Sequence, residues 1–204
     1  MTNPRNGKSP DTGARQRLIT ATAKIMRDEG YAAATSRRVA AEAGVKQALV
    51  YYYFPTMDHL FVEVLRAGAE ASLQSMRTAL ADEDPLQALW LMNSDLRLTA
   101  LNTEFMALAN HRKAIRAELK AYAERVRDIE TAAVTVALRA KGIDINEFSP
   151  VAISMLIAQT ARSLCNESAV GVTLGHDELR AFMERQISLL TTPPATPESV
   201  SGHP

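Results

Sequence analysis

Apolar positions recur every three to four residues along most of the chain, the spacing of a helix with one buried face. Leu18, Thr22, Ile25 and Met26 share one face of a first helix, which Gly30 ends by taking a left-handed backbone conformation. Thr35 is the expected N-cap of a short second helix holding Arg37, Arg38, Val39 and Ala40. Gly44 breaks it, and Val45 leads into a third short segment, 46–54, which Pro55 stops. Thr56 caps a fourth, longer helix with Asp58 in its first turn, where a carboxylate meets the positive end of the helix dipole. Asp84-Pro85 and Ser149-Pro150 each set a capping side chain before a proline suited to the first helical position, marking two more starts. Ile115, Leu119, Tyr122, Val126, Ile129 and Ala133 stripe a long helix over 113–141, closed by Gly142. Leu179, Phe182, Met183, Gln186, Ile187 and Leu190 form a broad seam on a last helix over 177–190.

Prolines fall at the boundaries and ends of these stretches, and no run alternates apolar and polar residues between turn dipeptides. The expected fold is all-α. With 47% hydrophobic and 23% charged residues, the 204-residue chain has a globular composition. Only its ends, 1–12 and 192–204, are too poor in apolar side chains to offset ordering entropy, so both are expected to be disordered tails. Lys plus Arg balances Asp plus Glu at 23 each, and no global field holds the chain on nucleic acid or an anionic surface. The balance is uneven along the chain. Residues 1–60 carry nine basic and five acidic side chains, which predicts two parts with different partners. The single Cys165 makes no internal disulfide, and the first residues lack the apolar stretch of a secretory signal. The longest apolar run, Ala48 to Phe54, falls far short of the roughly 18 residues of a membrane span, so a cytoplasmic protein is expected.

Two short helices separated by Glu42-Ala43-Gly44-Val45 make a helix–turn–helix pattern, with small Ala40 and Ala43 permitting close packing. Such a unit lays its second helix in the DNA major groove. At 100° per residue, Val50, Tyr53 and Phe54 fall on one side of the third segment and Ala48, Tyr51 and Tyr52 on the other, with Gln47 at the edge. Four consecutive aromatic residues, Tyr51 to Phe54, span about 300° of a helix and cannot all face one interior. The outward side offers Gln47 for base edges, the Ala48 methyl for close approach, and tyrosine hydroxyls that reach phosphate oxygens.

Residues 15–65 resemble the DNA-binding domain of the tetracycline-repressor (TetR) family of bacterial regulators. The resemblance lies in Gly30-Tyr31 after an apolar first helix, in Thr35, in the Ala-x-x-Ala-Gly-Val element from Ala40 to Val45, and in the run from Tyr51 to Pro55. It implies that Thr35, Lys46, Gln47, Ala48, Tyr51, Tyr52 and Tyr53 meet DNA, with Tyr51 on a phosphate. Two positions depart from the pattern. Lys46 replaces the usual capping Ser or Thr, and Met57 replaces a lysine that often binds phosphate; Arg37, Lys46 or the basic tail would supply the missing charge. The expected domains are a helix–turn–helix domain over 13–60 and a helical effector-binding and dimerisation domain over 61–191.

The resemblance also implies a homodimer, paired through the last two helices, that reads an inverted-repeat operator and is released by a small molecule. Two recognition helices then lie about 34 Å apart, one turn of DNA. Met155, Leu179, Phe182, Met183, Gln186, Ile187 and Leu190 are the expected interface. Polar or bulky residues on otherwise apolar faces are candidates for a largely apolar effector pocket: Trp90, Asn93, Arg97, Phe105, Met106, Asn110, Met155, Gln159, Arg162 and Asn166. No catalytic constellation, cofactor motif or metal-ligand spacing emerges. The histidines are scattered and most of them read as surface residues, Asp82-Glu83-Asp84 reads as a solvated loop and cap, and Gly7-Lys8-Ser9 lacks the earlier glycine of a phosphate-binding loop. The alternative to a repressor is a helical protein–protein adaptor, or an activator without an effector.

Overall fold

The computed structural model describes residues 12–81 and 84–191, and the described residues are helical with no strand. The helices are α1 (Thr12–Glu29), α2 (Ser36–Glu42), α3 (Ala48–Tyr53), α4 (Met57–Ala79), α5 (Pro85–Asn93), α6 (Leu96–His111), α7 (Lys113–Ala140), α8 (Pro150–Ala169) and α9 (His176–Thr191). Both expected tails lie outside the described residues, apart from Thr12, which opens α1. Asp82 and Glu83 of the acidic cluster also lie outside them.

Local signals set most boundaries. Gly30 ends α1 at φ 83°, its N–H still bonded to the Met26 carbonyl. Thr35 caps α2 by accepting from the Arg38 N–H, and Asp84 caps α5 by accepting from the Gln87 N–H at 3.0 Å. Thr56 receives the His59 N–H at the start of α4. Gly142 stops α7 at φ 69°, and the Ile143 N–H turns back to the Leu138 carbonyl. Two expectations need correction. Ser149 makes no side-chain cap, so Pro150 alone marks the start of α8. The third helix is shorter than 46–54, because Val45 and Lys46 complete the turn and Phe54 has extended backbone.

The chain divides into two compact units, one holding residues up to Leu73 with Arg97–Glu124, the other Gln74–Leu96 with residues from Arg125 onward. The first unit is larger than the 13–60 domain expected. Its core joins Leu18, Ile25, Met26, Val39, Val50 and Phe54 of the amino-terminal helices to Leu60 and Phe61 of α4, Phe105 and Leu108 of α6, and Ile115 and Leu119 of α7. In the second unit α5 packs on α8 and α9. There His176 is buried, with Nε2 2.9 Å from Glu167 and Nδ1 3.4 Å from Ser168.

Candidate nucleic-acid interface

The α2–turn–α3 unit is held from beneath. Val39, Val50 and Phe54 are buried, and the small side chains of Ala40 and Ala43 let the two helices close on each other. Gly44 sits at φ 64°, a conformation costly for other residues, and the Val45 N–H returns to the Ala40 carbonyl at 3.0 Å. The Arg15 guanidinium lies 5.3 Å from the centre of the Phe54 ring, closing the core on the side of α1. A six-residue helix is too short to be stable alone. Its orientation is therefore set by Val50 and Phe54.

The opposite side of α3 is uncovered within this unit. Tyr52 is 67% exposed and Tyr51 51% exposed, and Gln47 and Ala48 are exposed beside them. Tyr53 is half-buried, its ring edge-on to Tyr52 at 5.0 Å and tilted against Phe54 at 6.5 Å. Ser36, which sequence reasoning missed, organises this surface. Its hydroxyl accepts from Gln47 Nε2 at 2.9 Å and from the Tyr51 hydroxyl at 3.2 Å, tying the start of α2 to the outward face of α3.

The charges sort into two groups. Arg38 bonds Glu29 at 2.6 Å and Glu42 at 2.9 Å, and Lys24 bonds Glu42 at 2.5 Å. Lys24 and then Arg38 hold the Glu42 carboxyl below its ordinary pKa. Arg37 and Lys46 are exposed and have no ion-pair partner among the described residues. Such cations neutralise an incoming phosphate without first breaking an internal pair. Thr35 is exposed next to them, its side chain committed to the cap. The surface therefore combines an amide, a methyl, phenolic hydroxyls and two free cations on a projecting short helix, the chemistry of groove and backbone recognition.

Residues 18–64 match the family described as bacterial regulatory proteins, tetR family. That match runs from α1 into α4 and takes in the whole helix–turn–helix. It is 33% identical over 108 residues to the HTH-type transcriptional repressor KstR of Mycobacterium tuberculosis, covering 50% of this chain and 49% of that protein. The chain thus spans about half the length of the curated relatives it matches. The multidrug binding protein EbrR, solved in complex with imidazole, is 27% identical over 96% of this chain and 100% of its own, with a TM-score of 0.61. A transcriptional regulator from Saccharomonospora viridis, solved in complex with choline, shares the fold at a TM-score of 0.71 and 14% identity, over 86% of this chain and 95% of its own.

The expected pocket residues fall in both units. Arg97, Phe105, Met106 and Asn110 belong to the first unit, where Phe105 is buried in that unit's own core and Arg97, Met106 and Asn110 are exposed. Phe105 is thus a core residue. In the second unit Met155, Gln159 and Asn166 face outward on α8. Trp90, Asn93 and Arg162 point inward. Trp90 is buried; the Asn93 side chain donates to the Leu89 carbonyl at 2.9 Å, and its backbone carbonyl receives the Cys165 thiol at 3.9 Å. Arg162 Nη2 lies 3.7 Å from Glu130, a fully buried carboxylate that sequence reasoning missed. Neither Glu130 oxygen has a hydrogen-bond partner, and Arg127 Nη1 and Thr131 Oγ1 are buried without one. Burial pushes the Glu130 carboxyl above its ordinary pKa, against the opposing pull of Arg162, Arg127 and the nearby Asn93 amide.

The expected dimer residues also divide. Met183 and Ile187 are buried by their own chain, so they belong to the inner stripe of α9 rather than to an outward surface. Phe182, Leu179 and Gln186 are exposed, and Leu190 is half-buried. Met155 and Leu156 are exposed on α8, and Leu189 on α9. Among the described residues no His/Cys/Asp/Glu group is placed to hold a metal, and no helix is long and apolar enough to cross a membrane.

Proposed function

We infer that this chain is a cytoplasmic transcriptional repressor that binds an inverted-repeat operator as a homodimer and leaves it when a small molecule binds. The observation that carries the reading is the uncovered outer face of α3, with Tyr51 and Tyr52 exposed above a core that fixes the helix from below. Gln47, Ala48 and Tyr52 read the major groove, and Thr35, Arg37, Lys46, Tyr51 and Tyr53 contact the backbone. Similarity to a repressor over residues matched by KstR favours repression over activation.

The exposed apolar side chains of α8 and α9, Met155, Leu179 and Phe182 among them, suit a self-complementary interface across a two-fold axis. The effector site is drawn from the second unit, where Asn93 and Arg162 act on the buried Glu130 and Trp90 is buried on the same helix as Asn93. A mainly apolar wall with a few polar groups accepts a small ligand by shape and orients it by hydrogen bonds. That ligand shifts the operator equilibrium only by the ratio of its affinities for the two states, typically about 1–3 kcal/mol. Selection of bound fragments from genomic DNA, followed by footprinting, tests the reading. An inverted repeat with half-sites about one helical turn apart is the expected result. Recovery of no enriched sequence would overturn it.

A further inference from the structure

On the first unit, an open-sided cavity of about 330 Å³ lies beside the outward face of α3, lined by Thr35, Ser36, Tyr51, Met57, Phe61 and Arg112 among others. We propose that this cavity is a backbone-phosphate site and that Arg112 is its cation. The assignment rests on the DNA-binding reading above and adds to it a residue more than fifty positions beyond the helix–turn–helix.

The donor set fits an oxyanion. Ser36 Oγ accepts two hydrogen bonds, from Gln47 and Tyr51, which fills both its lone pairs and leaves its own O–H to donate outward. Thr35 stands next to it at the start of α2. Arg112 contributes a guanidinium whose Nη1 is bonded to Asp58, while Nε and Nη2 engage no acceptor among the described residues. One ion pair thus leaves the other face of the fork for a phosphate, the planar group arginine matches best.

The cation is held in place before any ligand arrives. Arg112 is the single residue between α6 and α7, with its N–H on the Leu108 carbonyl and its carbonyl on the Arg116 N–H, both at 3.0 Å. Its guanidinium stacks 5.7 Å from the Phe61 ring centre. The side chain is 38% exposed, so it is reachable. Met57, which lines the same cavity at the first position of α4, brings no charge. Arg112 is therefore the cavity's source of positive charge. Asp58 plays two opposed parts, fixing the guanidinium and cancelling part of its charge.

Equilibrium binding of the full chain to an operator fragment, measured against salt, tests this. Removing one phosphate contact lowers the slope of log affinity against log salt by about 0.9. Arg112→Ala is expected to lower it by about that amount per protomer and to weaken binding roughly tenfold, the value of one charged hydrogen bond. Arg112→Lys should restore the slope, since a point charge replaces the fork. Asp58→Asn separates ligand contact from scaffolding: releasing the guanidinium should tighten DNA binding if Arg112 meets phosphate. Loss of binding in Asp58→Asn equal to that in Arg112→Ala would mean the pair is only a strut, and the assignment fails. It fails also if Arg112→Ala keeps the wild-type slope. A rise in melting temperature of the DNA-free chain in sodium phosphate over sodium chloride at equal ionic strength, together with an unchanged slope in Arg112→Ala, would point to a free-anion site and overturn it. A wild-type chain with no salt-dependent binding to any duplex sinks the DNA reading itself, a result distinct from all of these.

Discussion

Truncating Phe54 and Tyr52 one at a time tests whether the two sides of α3 have separate roles. Phe54 is 2% exposed and carries the Arg15 guanidinium over its ring. Removing a buried phenyl group costs about 3–5 kcal/mol through the forfeited transfer energy and the cavity left behind. For a chain of this size each kcal/mol moves the melting temperature by about 2–4 °C, so Phe54→Ala should lower Tm by roughly 6–20 °C. Tyr52, 67% exposed, gives up little buried surface; its one defined ring contact, with Tyr53 at 5.0 Å, is worth about 0.5–1.5 kcal/mol. Tyr52→Ala should therefore melt within a few degrees of the parent. Its cost falls on DNA, where one recognition contact is worth about 1–3 kcal/mol, or five- to more than a hundredfold in affinity. Scanning calorimetry gives the first quantity and fluorescence anisotropy with the selected operator gives the second. The two-faced account is refuted if Tyr52→Ala melts as early as Phe54→Ala, or if it binds the operator as tightly as the parent.

Three other changes have defined outcomes. Glu130 has a raised carboxyl pKa in the folded chain, so it keeps its proton there after the unfolded chain has released it; the stability this supplies is full below the unfolded value of about 4.3 and is lost as pH rises through the folded one. Glu130→Gln should gain on the parent in urea titrations as pH rises from about 4, and a constant difference across pH would count against the assignment. Gly30→Ala should destabilise by about 1–2 kcal/mol because φ is 83°, although the added Cβ would sit an ordinary 3.6 Å from Glu104; an unchanged unfolding midpoint would show that the turn relaxes. Phe182→Glu should convert the dimer to monomer in sedimentation and weaken operator binding, while a persistent dimer would move the interface elsewhere.

Helix boundaries were legible wherever one residue decides them. Thr35, Asp84, Gly30 and Gly142 act on backbone groups three to five positions away, and a chain read in order displays that relation. The helix α6 gave no such signal. Leu96, Leu98 and Met106 are exposed while Phe105, Leu108 and Ala109 are buried, so apolar side chains encircle it and no stripe stands out. The extent of the first unit was hidden for a different reason. Phe105, Leu108, Ile115 and Leu119 join the core of α1–α3 from more than fifty residues away, and periodicity reports which face of a helix is buried but not against what.

The same distinction separates the parts of the site that could be read from those that could not. The outward tyrosines were visible because four consecutive aromatic residues cannot share one face. Ser36 and Arg112 were not, since their roles arise from partners 11 and 54 positions away. Glu130 is the instructive case, because its signal was present and read out of phase. Taking the long stripe through Ile129 and Ala133 passes over the carboxylate, whereas Ile115, Leu119, Val126, Glu130, Val134 and Leu138 are the positions that are buried. An acidic residue at the fourth step of an otherwise apolar stripe breaks the pattern only once the phase is right. Its burial then has to be answered by Arg162 on α8. The answer is incomplete, at 3.7 Å with both oxygens unbonded, and this is the reason for proposing the effector's polar anchor there rather than on the exposed polar residues of α6 and α8.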